Sequence, residues 1–287
     1  MSWHDIRDPQ DPELDRLAAL YHLHPLHVED CRHRNQSAKV EEYNGYLFVV
    51  LKPVVMKDGE LDVCDLDIFF GRDFLITVQE DGGCASGPLV DQIRTNWASL
   101  RQDQVLYRLM DGVVDSYLPV LDAFSDAIDE LEDQVLDSPS PEALQKIFQT
   151  KRALIQLRRV LVNTRDVAGH LQRIECDLIG RDMWPFLRDV YDHVARNLDL
   201  VETQRDLLNG ALDIYLSSVA NRTNQVMKVL TVLGTAALPA VIISSIYGMN
   251  VDGLPWKSSP HGGAIVGAAI TAITAVLLVI LRVFRWF

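Results

Sequence analysis

Cysteine is scarce. The 287 residues hold four, Cys31, Cys64, Cys84 and Cys176, far apart and with no Cys-x-x-Cys pair. Such spacing argues against a disulfide framework and reads as reduced, cytosolic thiols. Net positive charge is absent as well: 27 Lys and Arg stand against 40 Asp and Glu, a formal charge of -13. A nucleic-acid binder needs a basic face, so that class is excluded. An acidic balance suits cation attraction, and equally a solubilising surface. The opening MSWHDIRDPQDPELD lacks a basic-then-apolar pattern, so no signal peptide is expected. Catalytic signatures are missing too. There is no Gly-x-Ser-x-Gly and no His-Glu-x-x-His, and Asp81-Gly82-Gly83 lacks the lysine of a phosphate-binding loop. The expectation is neither an enzyme nor a nucleotide-driven machine.

Two long uncharged runs are present. Val229–Tyr247 and Gly262–Leu281 contain no charged side chain. At about 1.5 Å rise per residue, some 20 residues cross a hydrocarbon core of about 30 Å. The chain is therefore expected to carry a membrane hairpin joined by the short loop 251–261. Arg222 and Lys228 precede the first run, and Arg282 and Arg285 follow the second, whereas the loop carries only Lys257. That bias places both termini in the cytoplasm and the loop outside.

Ahead of the spans, residues 1–105 read as a cytosolic α/β domain. Tyr46–Val55 is rich in β-branched and aromatic residues, and Leu66–Phe70 and Phe74–Val78 form a hairpin around Gly71-Arg72-Asp73. Helical patterns flank them at Pro12–Tyr21, with Asp11 as cap, and at Pro88–Arg101; Asp81–Gly87 reads as a loop. Residues 106–184 read as a helical hairpin: acidic Leu118–Leu136, a break at Asp137–Pro141, then basic Glu142–His170 capped by Ser140. These two helices are expected to be antiparallel neighbours. A final helix starts near Pro185 and meets no proline until Pro239, so 185–250 is expected to run from the cytosol into the membrane. The loop 251–261 and a second span with a short basic tail, 262–287, complete the α+β-plus-hairpin architecture.

Stepping by three and four from Asn224 collects Asn224, Met227, Thr231, Gly234, Leu238, Val241, Ser245 and Gly248 on one helix face, with Leu230 at its edge. Small residues let helices approach. No carboxylate lies on this face, so a bare divalent ion would leave unpaired charge in low dielectric. Mg²⁺ also gives up its water reluctantly. The face fits passage of a hydrated ion past apolar constrictions, and equally a packing face between membrane helices.

Tyr247-Gly248-Met249-Asn250 ends the first span, one further span follows, and Leu212–Thr231 (LDIYLSSVANRTNQVMKVLT) precedes it. In this arrangement the chain resembles the CorA-type magnesium and cobalt transporters, the two-span channels with a Gly-x-Asn signature. The resemblance implies a funnel-shaped homopentamer with a shared pore. It assigns the outer filter to Gly248, Met249 and Asn250, with Tyr247 supporting the loop. Asn224 falls on the inner polar ring, Leu230 and Leu238 on hydrophobic gates. Val241 stands where some members carry a hydroxyl. Trp256 and Lys257 stand where the family often has an acidic loop, so the outer ring here concentrates cations less well. His24-Pro25-Leu26-His27-Val28-Glu29-Asp30, LMDGVVDSY and LRDVYDH also resemble family segments. Through them Glu29, Asp30, Asp111 and Asp189 are implied to bind regulatory divalent ions between subunits, with Asp213 as a further acidic ring.

The local set His22, His24, His27, Cys31 and His33 offers nitrogen and sulfur donors that favour Zn²⁺, Co²⁺ or Ni²⁺ over Mg²⁺, but at no closed-site spacing. The expected activity is uptake of Mg²⁺, with Co²⁺ or Ni²⁺ as further cargo, down the electrochemical gradient through an inner-membrane channel gated by internal Mg²⁺. Its partners are its own copies, the lipid bilayer and divalent cations, with no nucleic acid or nucleotide. A zinc carrier of the related branch, proton-coupled, and a non-conducting membrane-anchored metal sensor are the alternatives.

Overall fold

Runs of β-branched and aromatic residues build the sheet. In the computed structural model, which describes residues 2–33, 36–80, 86–174, 176–249, 253–256 and 258–284, β3 (Tyr46–Leu51), β6 (Leu66–Gly71) and β7 (Phe74–Gln79) form its centre. β1 (Ser2–Ile6) and β2 (Lys39–Tyr43) flank them in the order β1-β7-β6-β3-β2. β1 runs parallel to β7 and every other pair is antiparallel. The central runs YLFVVL and LDIFFG are buried at every position, so they are nearly continuous in hydrophobicity rather than alternating. Phe48, Phe69 and Ile76 stand opposite one another and share a face with Val50 and Val78. On that face pack α1 (Pro12–Tyr21), through Leu14 and Leu17, and α2 (Pro25–Arg32), through Val28 and Cys31.

Three strands are not evident in the sequence. β1, β2 and β5 (Glu60–Val63) are short and carry charged residues. The run expected as one strand over Tyr46–Val55 is two, because Pro53 lacks a donor and separates β3 from β4 (Val54–Lys57). β4 and β5 pair as a separate ribbon. Asp11 accepts from the Glu13 amide with Pro12 opening α1.

The helices follow: α3 (Ser86–Asn96), α4 (Gln102–Asp115), α5 (Tyr117–Asp137) and α6 (Pro141–Leu171), the last capped by Ser140 accepting from the Ala143 amide. Tyr117, opening α5, donates to the Lys52 carbonyl at 3.1 Å and shares a 3.0 Å bond with Thr164 near the end of α6, so the pair is antiparallel. The basic band of α6 finds its described partners on α7 (Trp184–Tyr247) rather than on acidic α5. Lys151 donates to Asn209 at 3.0 Å and Arg158 pairs with Glu202. The expectation that all cysteines are free thiols is also corrected: Cys64 is disulfide-bonded, while Cys31 and Cys176 are free.

The chain divides into two compact units, Met1–Asp213 and Ile214–Phe287. The second holds the end of α7 and α8 (Gly262–Val283), both long and apolar enough to cross a membrane. Of the most apolar stretch of α7, 6% is buried, and of that in α8, none. In a soluble protein such surface would be inside.

Candidate metal and pore sites

The first unit carries a convergence of donors. Asp111 and Asp115 lie four apart on α4, and so share one helix face. On α7, Asp189 and His193 have the same spacing, with His193 Nε2 3.6 Å from Asp189 Oδ1. Ligand atoms of Asp111, Asp115 and His193 all lie within 4.8 Å of one another, and among the described residues this is the one set of three or more such donors that meets so closely. Asp111 is half-buried and Asp115 exposed. Burial raises the Asp111 carboxyl above its usual range, and the neighbouring charge of Asp115 adds to the effect. Burial and the charges of Asp111 and Asp189 push the phenol of Tyr107, one turn before Asp111, up to about 12. A cation here would relieve mutual repulsion. Two carboxylates suit a hard ion, and one imidazole widens acceptance to Co²⁺, Ni²⁺ or Zn²⁺.

Asp111 and Asp189, expected from the sequence, are thus brought to one place. Asp115 and His193 join them; both sit in the segments LMDGVVDSY and LRDVYDH, where the paired spacing of four was the available signal. Glu29 and Asp30 are not part of this convergence. Glu29 is exposed on α2, and Asp30 accepts from Lys39 at 2.7 Å. Lys39 continues to Glu41 at 2.7 Å, and Glu41 to His27 Nε2 at 2.9 Å.

The histidine-rich segment serves caps and core. His22 ends α1 in the left-handed region at φ 53°. His24 Nδ1 accepts the Leu26 amide at 3.2 Å and caps α2. His27 is buried, stacked on Phe48 with ring centroids 4.5 Å apart, and its other nitrogen meets the Tyr46 hydroxyl at 2.7 Å. Burial holds its imidazole below the ordinary pKa. The Cys31 thiol donates to the His27 carbonyl at 3.1 Å. Asp213 is exposed on α7.

In the second unit, Asn224, Met227, Leu230, Gly234, Leu238, Val241 and Ser245 are all exposed, and Thr231 is half-exposed. The Thr231 hydroxyl donates to the Met227 carbonyl at 2.8 Å, so its proton is committed to its own helix. Pro239, buried inside α7, has no amide to return to the Thr235 carbonyl. At the helix end, Gly248 donates to the Ser244 carbonyl at 2.8 Å, and a Cβ there would come within 3.2 Å of the same oxygen. Met249 donates to Ile246 at 3.2 Å. The Tyr247 hydroxyl donates to the Pro255 carbonyl at 3.0 Å, tying the helix end to the following loop. Asn250 and Lys257 lie outside the described residues.

A family model described as CorA-like Mg²⁺ transporter protein matches residues 1–285. The chain is 36% identical over 278 residues to a cobalt/magnesium transport protein CorA of Thermotoga maritima, covering 95% of this chain and 79% of that protein. The complete structure of the CorA magnesium transporter of Methanocaldococcus jannaschii superposes with a TM-score of 0.87 at 26% identity, covering 99% of this chain and 91% of that one. The full-length CmaX protein shares the fold, with a TM-score of 0.79 at 20% identity over 99% of this chain and 88% of that one. These matches take in the α/β domain, the long helix and the C-terminal helix pair alike, and the two exposed apolar helices are those of a membrane protein. The chain belongs to the CorA-like Mg²⁺ transporter family.

Proposed function

We propose that this chain is one subunit of a homopentameric channel that admits hydrated divalent cations, Mg²⁺ foremost and Co²⁺ or Ni²⁺ as well, into the cytoplasm. The observation that carries this reading is the bare, charge-free face of α7 from Asn224 to Ser245. A helix so apolar and so little buried needs lipid on one side and its own copies on the other. The face offers one amide, two hydroxyls and backbone carbonyls but no carboxylate, so it contacts an ion through the ion's water. Met227, Leu230 and Leu238 narrow the passage with apolar side chains that gate by dewetting. Gly248, Met249 and Asn250 receive the hydrated ion outside, with Tyr247 anchoring the loop through Pro255. An inside-negative potential drives divalent entry by about 4–5 kcal/mol per 100 mV, from about 2.3 per unit charge.

The same reading makes the Asp111, Asp115, Asp189 and His193 cluster the internal sensor. A cation there, shared with Glu29 and Asp30 of a neighbouring copy, holds subunits together and the pore dry. Loss of the cation restores repulsion and favours the open state, so the cargo is also the ligand of the closed state. Asp213 extends the acidic surface along α7. The protein then sits in the inner membrane with both termini cytoplasmic, its α/β domain at 1–105, helical hairpin at 106–184 and stalk-to-pore helix at 185–250.

His193 favours a second reading, because an imidazole prefers Zn²⁺, Co²⁺ or Ni²⁺ to Mg²⁺. On that reading the cargo is zinc and proton-coupled. Uptake by reconstituted vesicles across Mg²⁺, Co²⁺, Ni²⁺ and Zn²⁺, with and without a pH gradient, decides. The main reading expects Mg²⁺ uptake independent of the gradient and lost in Asn250→Ala. Zinc uptake that follows the gradient overturns it, and uptake no greater than in protein-free vesicles, unchanged in Asn250→Ala, points to a non-conducting sensor.

A further inference from the structure

A buried carboxylate breaks the pattern of the central strand. On β6, Asp67 occupies the face shared by Phe69, Val50 and Val78, on the side of the sheet that α1 and α2 cover. Asp67 is 2% exposed, and its Oδ1 has no hydrogen-bond partner among the described residues. Leaving an ionised carboxylate in that state costs several kcal/mol. The residue is not walled in by apolar atoms. It lines a cavity of about 200 Å³ together with Asp8, Cys31, His33, Asp65 and Glu80, large enough for several water molecules.

Among the described residues, the carboxylates that line this cavity are not all matched by a basic side chain. Asp65 pairs with Lys52, and Asp8 accepts the Gln10 amide at 2.8 Å. Arg32 also borders the cavity, but its guanidinium donates to the Pro9 carbonyl at 3.2 Å and to Asp15 at 2.8 Å. Among the described residues Asp67 makes no ion pair with a basic side chain, and Lys52, bonded to Asp65, acts on it only through its charge. The Cys31 thiol borders the same cavity and is itself buried. Burial and the charge of Asp65 push the Asp67 carboxyl up to about 7, and burial raises the Cys31 thiol well above its usual range. Both groups resist carrying charge here unless a cation arrives.

We propose that this cavity binds one divalent transition-metal cation of the Co²⁺ and Zn²⁺ class, held by the Asp67 carboxylate and the Cys31 thiolate, with water completing the sphere. One oxygen and one sulfur donor select a borderline cation over Mg²⁺, which takes oxygen alone. On binding, the Cys31 S–H bond breaks, its proton leaves to water, and the sulfur lone pair goes to the metal. The metal's oxidation state is unchanged. The site lies wholly in the first unit, separate from the Asp111 cluster, and does not depend on the channel reading.

The test is a Co²⁺ titration of the full chain in detergent, in a Cys176→Ser background and without added thiol, read by thiolate-to-cobalt charge-transfer absorption. One equivalent of Co²⁺ is expected to raise the band with release of the Cys31 proton. Cys31→Ser is expected to abolish it. Asp67→Asn, nearly isosteric, is expected to weaken binding by at least about tenfold while the chain stays folded by thermal melting. Excess Mg²⁺ is expected to leave the band in place. Absence of a band, a band that survives Cys31→Ser, an Asp67→Asn affinity equal to the parent's, or full displacement by Mg²⁺ each overturns the proposal.

Discussion

Neutralising the cluster on α4 should stabilise the protein without cations and make it indifferent to them. Asp111, Asp115 and His193 have ligand atoms within 4.8 Å of one another. Two like charges at that separation repel by about 3 kcal/mol at an effective dielectric of 20. Asp115 is exposed, so solvent reduces this to about 1 kcal/mol. A cation at a hundred times its dissociation constant returns about 2.7 kcal/mol by mass action. At about 2–4 °C per kcal/mol for a chain of this size, saturating Mg²⁺ or Co²⁺ should raise the wild-type melting temperature by about 5–10 °C over EDTA. Asp111→Asn with Asp115→Asn should melt a few degrees above wild type in EDTA, and should gain less than about 2 °C from either ion. Differential scanning fluorimetry of the detergent-solubilised protein reads both quantities. A double variant that melts lower than wild type in EDTA, or that gains as much from Mg²⁺, refutes the reasoning.

Three further outcomes follow from single side chains. Asp67 keeps its proton to about pH 7 in the fold and to about 3.8 unfolded, so the native state binds more protons between those values and stability falls as pH rises through that window. With chelator present, Asp67→Asn should flatten that slope, by at most about 4 kcal/mol between pH 4 and 8, and melting curves of wild type and variant with identical pH slopes would contradict it. Tyr247→Phe removes the 3.0 Å bond to the Pro255 carbonyl and should cost about 1 kcal/mol locally, seen as faster hydrogen exchange in the loop and slower cation uptake by vesicles. Phe48→Ala empties the sheet face against His27 and should cost about 3–5 kcal/mol, a loss denaturant unfolding will measure.

Much of this architecture is legible in the residues, because strong periodicity and caps dictate it. Pro12–Tyr21 with Asp11, Pro141 with Ser140, and the opening of α7 beside Pro185 follow from local chemistry alone. β1, β2 and β5 are not legible, since SWHDI, KVEEY and ELDV acquire strand geometry from neighbours distant in sequence. The candidate metal cluster is half legible. Asp111 and Asp189 stand in segments that resemble family motifs, but only packing of α4 against α7 selects Asp115 and His193 as their companions. The histidines at 22, 24 and 27 show the opposite limit. Their spacing suggests donors, yet capping of α2 and stacking on Phe48 engage the rings of His24 and His27, and His22 closes α1. Asp67 could not be singled out in advance, because nothing in LDIFFG says which face α1 and α2 will cover.

The most direct measurement is Mg²⁺ entry into vesicles containing the purified chain, followed with an internal fluorescent indicator while internal Mg²⁺ is set at several levels. Entry should be fast when the vesicle interior is free of Mg²⁺, should slow as internal Mg²⁺ rises, and should lose that dependence in Asp111→Asn with Asp115→Asn. Vesicles that stay closed to every divalent cation, or that admit Mg²⁺ at one rate whatever lies inside, would contradict a hydrated-ion pore governed by its own cargo.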